Sequence, residues 1–419
     1  MTQIETQRAV EAVWRIEAAK LVAGLTKMTR DMSLAEELAQ DALEAALKDW
    51  PKNGIPNSPG AWLMQTAKRR AIDHFRRNKV LARNMPALTY DEELRREDEA
   101  PDYDARLDDE VRDNLLSLIF TACHPILSPE ARSALTLRLV GGLTTTEIAR
   151  AFLVPEPTIQ QRIVRAKKTL ADAHIPFEVP HGDERVRRLG SVLEVVYLIF
   201  NEGYAATAGD DWIRTELCDE ALRLGRILAR LAPQQAEVHG LVALMEIQAS
   251  RADARTAADG TPILLLDQDR SLWNQILIRR GLVALGEAER LRRADEPYTL
   301  QAAIAACHAR ARKPEDTDWR RIAQLYDELA AATPSPVVEL NRAVAHSMAH
   351  GPEAGLRLLE PLIELPVLKN YHLLPSVRGD FLRRLGRFDE ARVEFQRAAE
   401  LTQNAREREL LLKRAAGQA

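Results

Sequence analysis

Two clusters of arginine, lysine and amide side chains define the chemistry open to this chain, and that chemistry is binding to nucleic acid. The first lies within residues 59–79. Placed at about 100° per residue, Leu63, Met64, Ala67, Ala71 and Phe75 share one arc. Trp62, Gln65, Arg69, Asp73 and Arg76 fall opposite, with Arg70 and Arg77 at the edge. Cations on such a face release counterions from phosphates. Amides and guanidiniums read base edges, and an indole stacks on an unpaired base. A solvated basic helix with Trp62 as a packing residue is the bland alternative.

The second cluster follows a break. Leu143–Phe152 reads as one helix, Leu153-Val154-Pro155 interrupts it, and Glu156-Pro157-Thr158 opens another that runs over Thr158–Ala171. Ile159, Ile163, Ala166 and Leu170 form an i, i+4, i+3 apolar stripe. Thr158, Gln161, Arg162, Arg165 and Lys168 lie on the other side. Two helices joined this way present the second to a major groove. The alternative is an ordinary helical hairpin with a basic surface. Leu153 stands where many such turns have glycine.

Other groups invite chemistry less strongly. His346 and His350 have the i, i+4 spacing of a metal pair, but surface or core histidines are commoner. Asp267, Asp269 and Arg270 fit capping or salt-bridge roles better than catalysis. The three cysteines, Cys123, Cys218 and Cys307, are far apart and form no ligand or disulfide pattern. No P-loop, dinucleotide glycine pattern, HExxH or nucleophile elbow occurs. The expectation is a binding protein with no active site, no metal and no cofactor.

The elements that position these residues are helices. In 419 residues, 46% hydrophobic, Ala, Leu, Arg and Glu dominate and β-branched or aromatic runs are scarce, so the fold class is all-α. The net charge of −4 excludes a uniformly basic nucleic-acid coat and leaves local basic stripes. No signal pattern opens the chain and no apolar run reaches the roughly 18 residues that span a bilayer, so a cytoplasmic location without membrane contact is expected.

Four regions are expected: a helical domain over 7–80, with Ser58 and Pro59 starting its basic helix; an acidic linker over 81–108; a helical domain over 109–175; and an array of amphipathic helices over 184–415. Within the array, Gly379, Leu382, Gly386, Phe388, Ala391, Phe395 and Ala398 hold the small and large positions of a tetratricopeptide unit. Gly351 lies about one repeat earlier, and Pro233 and Pro334 fit repeat ends.

Together these segments resemble the extracytoplasmic-function (ECF) sigma factors of bacterial RNA polymerase. Ala35-Glu36-Glu37-Leu38-Ala39-Gln40-Asp41-Ala42-Leu43 is similar to the core-polymerase-binding helix of region two. Pro59–Leu63 with Ala71–Arg77 resembles the adjoining helix that melts and reads the −10 element. Gly141–Thr144 through Arg165–Leu170 resembles region four, which reads the −35 element. Phe200-Asn201-Glu202-Gly203-Tyr204-Ala205, Asp267-Gln268-Asp269-Arg270, Leu300–Ala305 and Pro334–Val338 are similar to a subgroup with a tetratricopeptide-like extension.

The resemblance implies that Glu37, Gln40, Asp41 and Leu43 contact core polymerase, with the β′ clamp and β flap as docking points. It implies that melted and duplex promoter DNA are the other partners. It also implies regulation through the extension, by a protein partner or an intramolecular contact, rather than by a membrane-bound anti-sigma factor. An extension that is only an intramolecular brace is the alternative.

Overall fold

A computed structural model describes residues 3–81, 103–152, 154–204, 215–257, 263–292, 296–402 and 405–417. Every regular element among them is helical. The chain divides into two compact units, residues 1–196 and 197–419.

The first unit begins with α1 (Gln3–Thr29), α2 (Met32–Asn53) and α3 (Pro59–Leu81). Asp31 caps α2 by accepting from the Ser33 and Leu34 amides. Pro59 occupies the first position of α3, and the Ser58 carbonyl accepts from the Trp62 amide. These three helices pack on one another through alanine and leucine faces, with Trp50 fully buried.

Next come α4 (Tyr103–Ala122), α5 (Pro129–Leu139), α6 (Thr145–Ala151) and α7 (Glu156–Asp172). Because α4 starts at Tyr103, residues 103–108 are helical rather than the end of a linker. The rest of the acidic segment, 82–102, lies outside the described residues, as does Leu153.

The helix α8 spans Gly182–Tyr204, and its residues up to Val196 belong to the first unit, where polar anchors hold them. Arg188 donates to the Phe120 carbonyl at 2.9 Å. Arg132 of α5 pairs with Glu194 at 2.9 Å and also donates to Ser191. A boundary drawn near residue 176 therefore separates α4 and α5 from these partners.

The second unit holds α9 (Thr215–Leu231), α10 (Ala236–Ala249), α11 (Gln275–Leu291), α12 (Pro297–Arg310), α13 (Trp319–Ala332), α14 (Pro336–His350), α15 (Pro352–Ile363), α16 (Leu373–Arg384), α17 (Phe388–Leu401) and α18 (Ala405–Ala415). Consecutive helices pack in hairpins. Pro233 and Pro334 fall in the turns before α10 and α14. Gly351 and Gly386 take positive φ, 97° and 76°, where the chain turns back into α15 and α17.

Small residues set the helix spacing as the repeat pattern predicts. A Cβ on Gly379 would lie 3.0 Å from the Phe395 ring. Leu382, Ala391, Phe395 and Ala398 form one buried cluster. Phe388 departs from that pattern. It is 64% exposed and, with Leu412 and Arg392, lines an open cavity of about 560 Å³ instead of filling a gap between helices.

These contacts predict opposite signs for two glycine substitutions. A Cβ on Gly355 would stand 2.6 Å from both Phe381 and Ser347, which are fully buried and have nowhere to go. Overpacking of about 1–3 kcal/mol outweighs alanine's helix advantage of about 0.5–1 kcal/mol, so Gly355→Ala is expected to lower the denaturant midpoint. Gly286→Ala meets nothing within 4 Å on α11 and is expected to raise it.

Candidate nucleic-acid interface

The α3 surface sorts by burial. Leu63, Ala67 and Ala71 are buried, whereas Gln65, Arg69, Asp73 and Arg76 face solvent. Phe75, expected on the apolar arc, is 38% exposed and meets the His74 ring edge-on at 6.0 Å. The fully buried part of the arc ends at Ala71. Arg77 lies in α3 but its side chain is outside the described residues.

Two α3 side chains are tied to α2. The Trp62 indole packs edge-on against Trp50 at 5.5 Å and stays half-buried. Trp50 thereby constrains its angle. Arg70 pairs with Asp41 at 3.0 Å. The two residue sets that the sequence suggests for DNA and for polymerase thus share an ion pair.

On α2, Ala35, Leu38, Ala39, Ala42, Ala46 and Trp50 are buried. Glu37 and Gln40 are exposed, and Asp41 and Leu43 are half-buried. Leu47, one turn beyond Leu43, is 41% exposed and extends the apolar strip. Its i, i+4 relation to Leu43 is the signal that sequence reasoning passed over.

The helix pair α6–α7 is built by short polar links. The Thr144 amide donates to Glu147 at 2.7 Å and the Glu147 amide to Thr144 Oγ1 at 3.1 Å, a reciprocal cap on α6. Glu156, at the start of α7, accepts from the Thr145 and Thr146 hydroxyls at 3.0 Å each. Those bonds hold its carboxyl below the usual range. The Thr-rich string thus pins the end of one helix to the start of the next.

The stripe Ile159, Ile163, Ala166 and Leu170 is buried. Gln161, Arg165 and Lys168 are exposed, and Thr158 and Arg162 are half-buried. Glu130 lies within the field of Arg162. Val164, 64% exposed, stands among the polar groups of this face. An apolar side chain there suits a thymine methyl.

One contact joins the two basic helical pieces of this unit. Glu36 of α2 pairs with both Arg138 of α5 and Lys167 of α7. Burial pushes its carboxyl up, but the two cations outweigh burial and hold it below the ordinary range. Gln40 lies beside this clamp, 3.4 Å from Glu36.

In the second unit, His346 Nε2 donates at 3.0 Å to the Asp327 carboxylate, which also pairs with Arg342. The His346 and His350 rings are 5.5 Å apart. Asp269 accepts from the Ser271 amide and caps a short 3₁₀ turn, whereas Arg270 points inward to carbonyls.

Comparison with known proteins places these surfaces in context. The family described as "Sigma-70 region 2" matches residues 16–80, and "Sigma-70, region 4" matches residues 117–170. A "Family of unknown function (DUF6596)" matches residues 188–289. An uncharacterized protein of Rhizobium meliloti is 46% identical over 384 residues, covering 91% of this chain and 89% of its own. A probable ECF RNA polymerase sigma factor, SigI, of Mycobacterium tuberculosis is 28% identical over 180 residues, covering 42% of this chain and 59% of its own. The crystal structure of yeast Tom70 aligns over 98% of this chain and 86% of its own, with a TM-score of 0.37 and 12% identity. No helix among the described residues is long and apolar enough to cross a membrane.

Proposed function

We propose that this chain is an ECF sigma factor with a tetratricopeptide-like helical extension, a reading supported by its Sigma-70 region 2 and region 4 matches and by its likeness to a probable ECF RNA polymerase sigma factor. The polymerase supplies all the chemistry, and the chain acts in the cytoplasm by binding. Residues 7–80 dock on core polymerase and hold the melted −10 element. The segment from α4 through α7 reads the −35 element in the major groove.

The observation that carries this reading is the pair of exposed polar faces on α3 and α7, each backed by a buried apolar stripe. On α3, Arg69 and Arg76 meet phosphates, Gln65 and Asp73 meet base edges, and Trp62 stacks on a flipped base. On α2, Glu37 and Gln40 with the Leu43–Leu47 strip meet the β′ clamp. Arg70 and Asp41 couple the two surfaces, so a change at either is felt at the other.

The test is promoter-dependent transcription with purified core polymerase. The full chain is expected to start transcription at promoters selected in vivo. Core polymerase with the chain and no initiation at any such promoter would refute the reading. Control by the extension has its own arm. A chain of residues 1–204 keeps α8 and its anchors Arg188, Ser191 and Glu194. Its output is expected to differ from that of the full chain. Identical behaviour in cells would leave the extension a brace without a regulatory role.

A further inference from the structure

Two strings that promoter reading leaves unused come together in the second unit. Tyr204 closes the Phe200–Tyr204 segment, and Arg270 closes Asp267–Arg270. Between them stand Arg251 and Arg255 from the turn after α10, Trp273, and His308 of α12. The Arg251 and Arg270 guanidinium carbons lie 5.8 and 5.0 Å from the centre of the Trp273 ring. Arg251 donates to the Tyr204 hydroxyl at 2.6 Å, and Arg255 lies over the Tyr204 ring at 3.6 Å and donates to its carbonyl.

Two of these cations, Arg251 and Arg270, lack the usual carboxylate compensation. Among the described residues neither Arg251 nor Arg270 forms an ion pair with a carboxylate. Arg270 is held by neutral acceptors, the carbonyls of His308 and Ala311 and the Thr317 hydroxyl. Glu315 and Asp316 reach it only through the field. His308 is pushed down to about 4 by burial and by the two arginines, so it is neutral. Among the described residues four buried nitrogens have no hydrogen-bond partner: Arg251 Nε, Arg270 Nε, Trp273 Nε1 and His308 Nδ1. Arg270, Trp273 and His308 are each at least nine-tenths buried.

Buried cations and unpaired donors are costly, and one anion answers both. The geometry points to an oxyanion-binding site at Arg251, Arg270 and Trp273, suited to the phosphate group of a small molecule. A planar carboxylate best fits a single guanidinium fork. Donors that arrive from the end of α10, the 3₁₀ turn at Arg270 and the helix α12 suit a tetrahedral group. A dianion also balances more of the field that Arg251 and Arg270 exert on His308. Occupancy would lock the end of α8 to α10 and α12, three helices from distant parts of the sequence.

The test uses the full chain and inorganic phosphate, with acetate and chloride at equal ionic strength. Thermal unfolding and calorimetry are expected to give a saturable phosphate response, with acetate weaker and chloride flat. Arg251→Gln is expected to weaken phosphate binding about tenfold or more, since it removes a charge-assisted contact. Trp273→Phe keeps the ring and removes the indole N–H, and is expected to weaken binding to a smaller extent. It also covers the case in which Arg251→Gln does not fold. Absence of a saturable response in the wild-type chain, an equal response in both variants, or acetate binding as tightly as phosphate would overturn the proposal. Binding is read without polymerase, so failure here leaves the sigma-factor reading untouched.

Discussion

Replacing Glu36 by alanine is expected to destabilise the first unit by about 3–5 kcal/mol, because it leaves Arg138 and Lys167 without their shared counter-ion. All three side chains are less than one-fifth exposed, so water screens the loss poorly. Glu36→Gln keeps a hydrogen-bond acceptor and should fall between alanine and wild type. The pH dependence has a fixed sign. A carboxyl held below its unfolded value of 4.5 contributes full stability above that value and loses it as the pH falls through the folded pKa.

Urea unfolding and hydrogen exchange of the α5 and α7 amides read this directly. An unchanged midpoint with unchanged protection would mean that α2 is not clamped to α5 and α7 in solution. The clamp also bears on function. Lys167 precedes Lys168 on α7, and Gln40 abuts Glu36 on α2. Any partner that engages Gln40 acts next to the anchor of α7, so, if α7 reads the −35 element as proposed, Glu36→Gln should change polymerase and promoter binding together.

That clamp shows where sequence reading stops. Helix periodicity found the buried stripe of α7 residue by residue, since Ile159, Ile163, Ala166 and Leu170 are all set by i, i+4 spacing. The Gly351 and Gly386 turns were legible for the same local reason, because a left-handed residue between two amphipathic runs has few alternatives to glycine. Glu36 pairs across 102 and 131 residues, and nothing in its neighbourhood distinguishes it from Glu37. Helical period alone places Phe75, and the tetratricopeptide pattern alone places Phe388. Both are exposed, and coverage is a property of the packed unit. The arginine cluster around Trp273 was half visible. Its strings were noticed, but their meeting depends on how α8, α10 and α12 pack.

Arg165→Ala is expected to weaken binding of duplex −35 DNA by about 1–3 kcal/mol if its lost contact is bidentate to a base, with relaxed preference at one base pair. Arg165 is exposed and forms no ion pair among the described residues, so the folded chain should keep its thermal midpoint. Arg162→Ala tests a mixed case. Arg162 is half-buried and sits in the field of Glu130, so its loss should also disturb the start of α5. Salt titration separates the roles. A residue on phosphate weakens all sequences alike and lowers the salt slope by about one, whereas a residue on a base edge changes sequence preference at constant slope. Val164→Ser supplies the apolar counterpart, with discrimination against thymine loss expected to shrink while the slope stays fixed. If neither arginine nor Val164 alters binding or preference, the outward face of α7 is not the reading surface, and the −35 contact must be sought on α5 or α6.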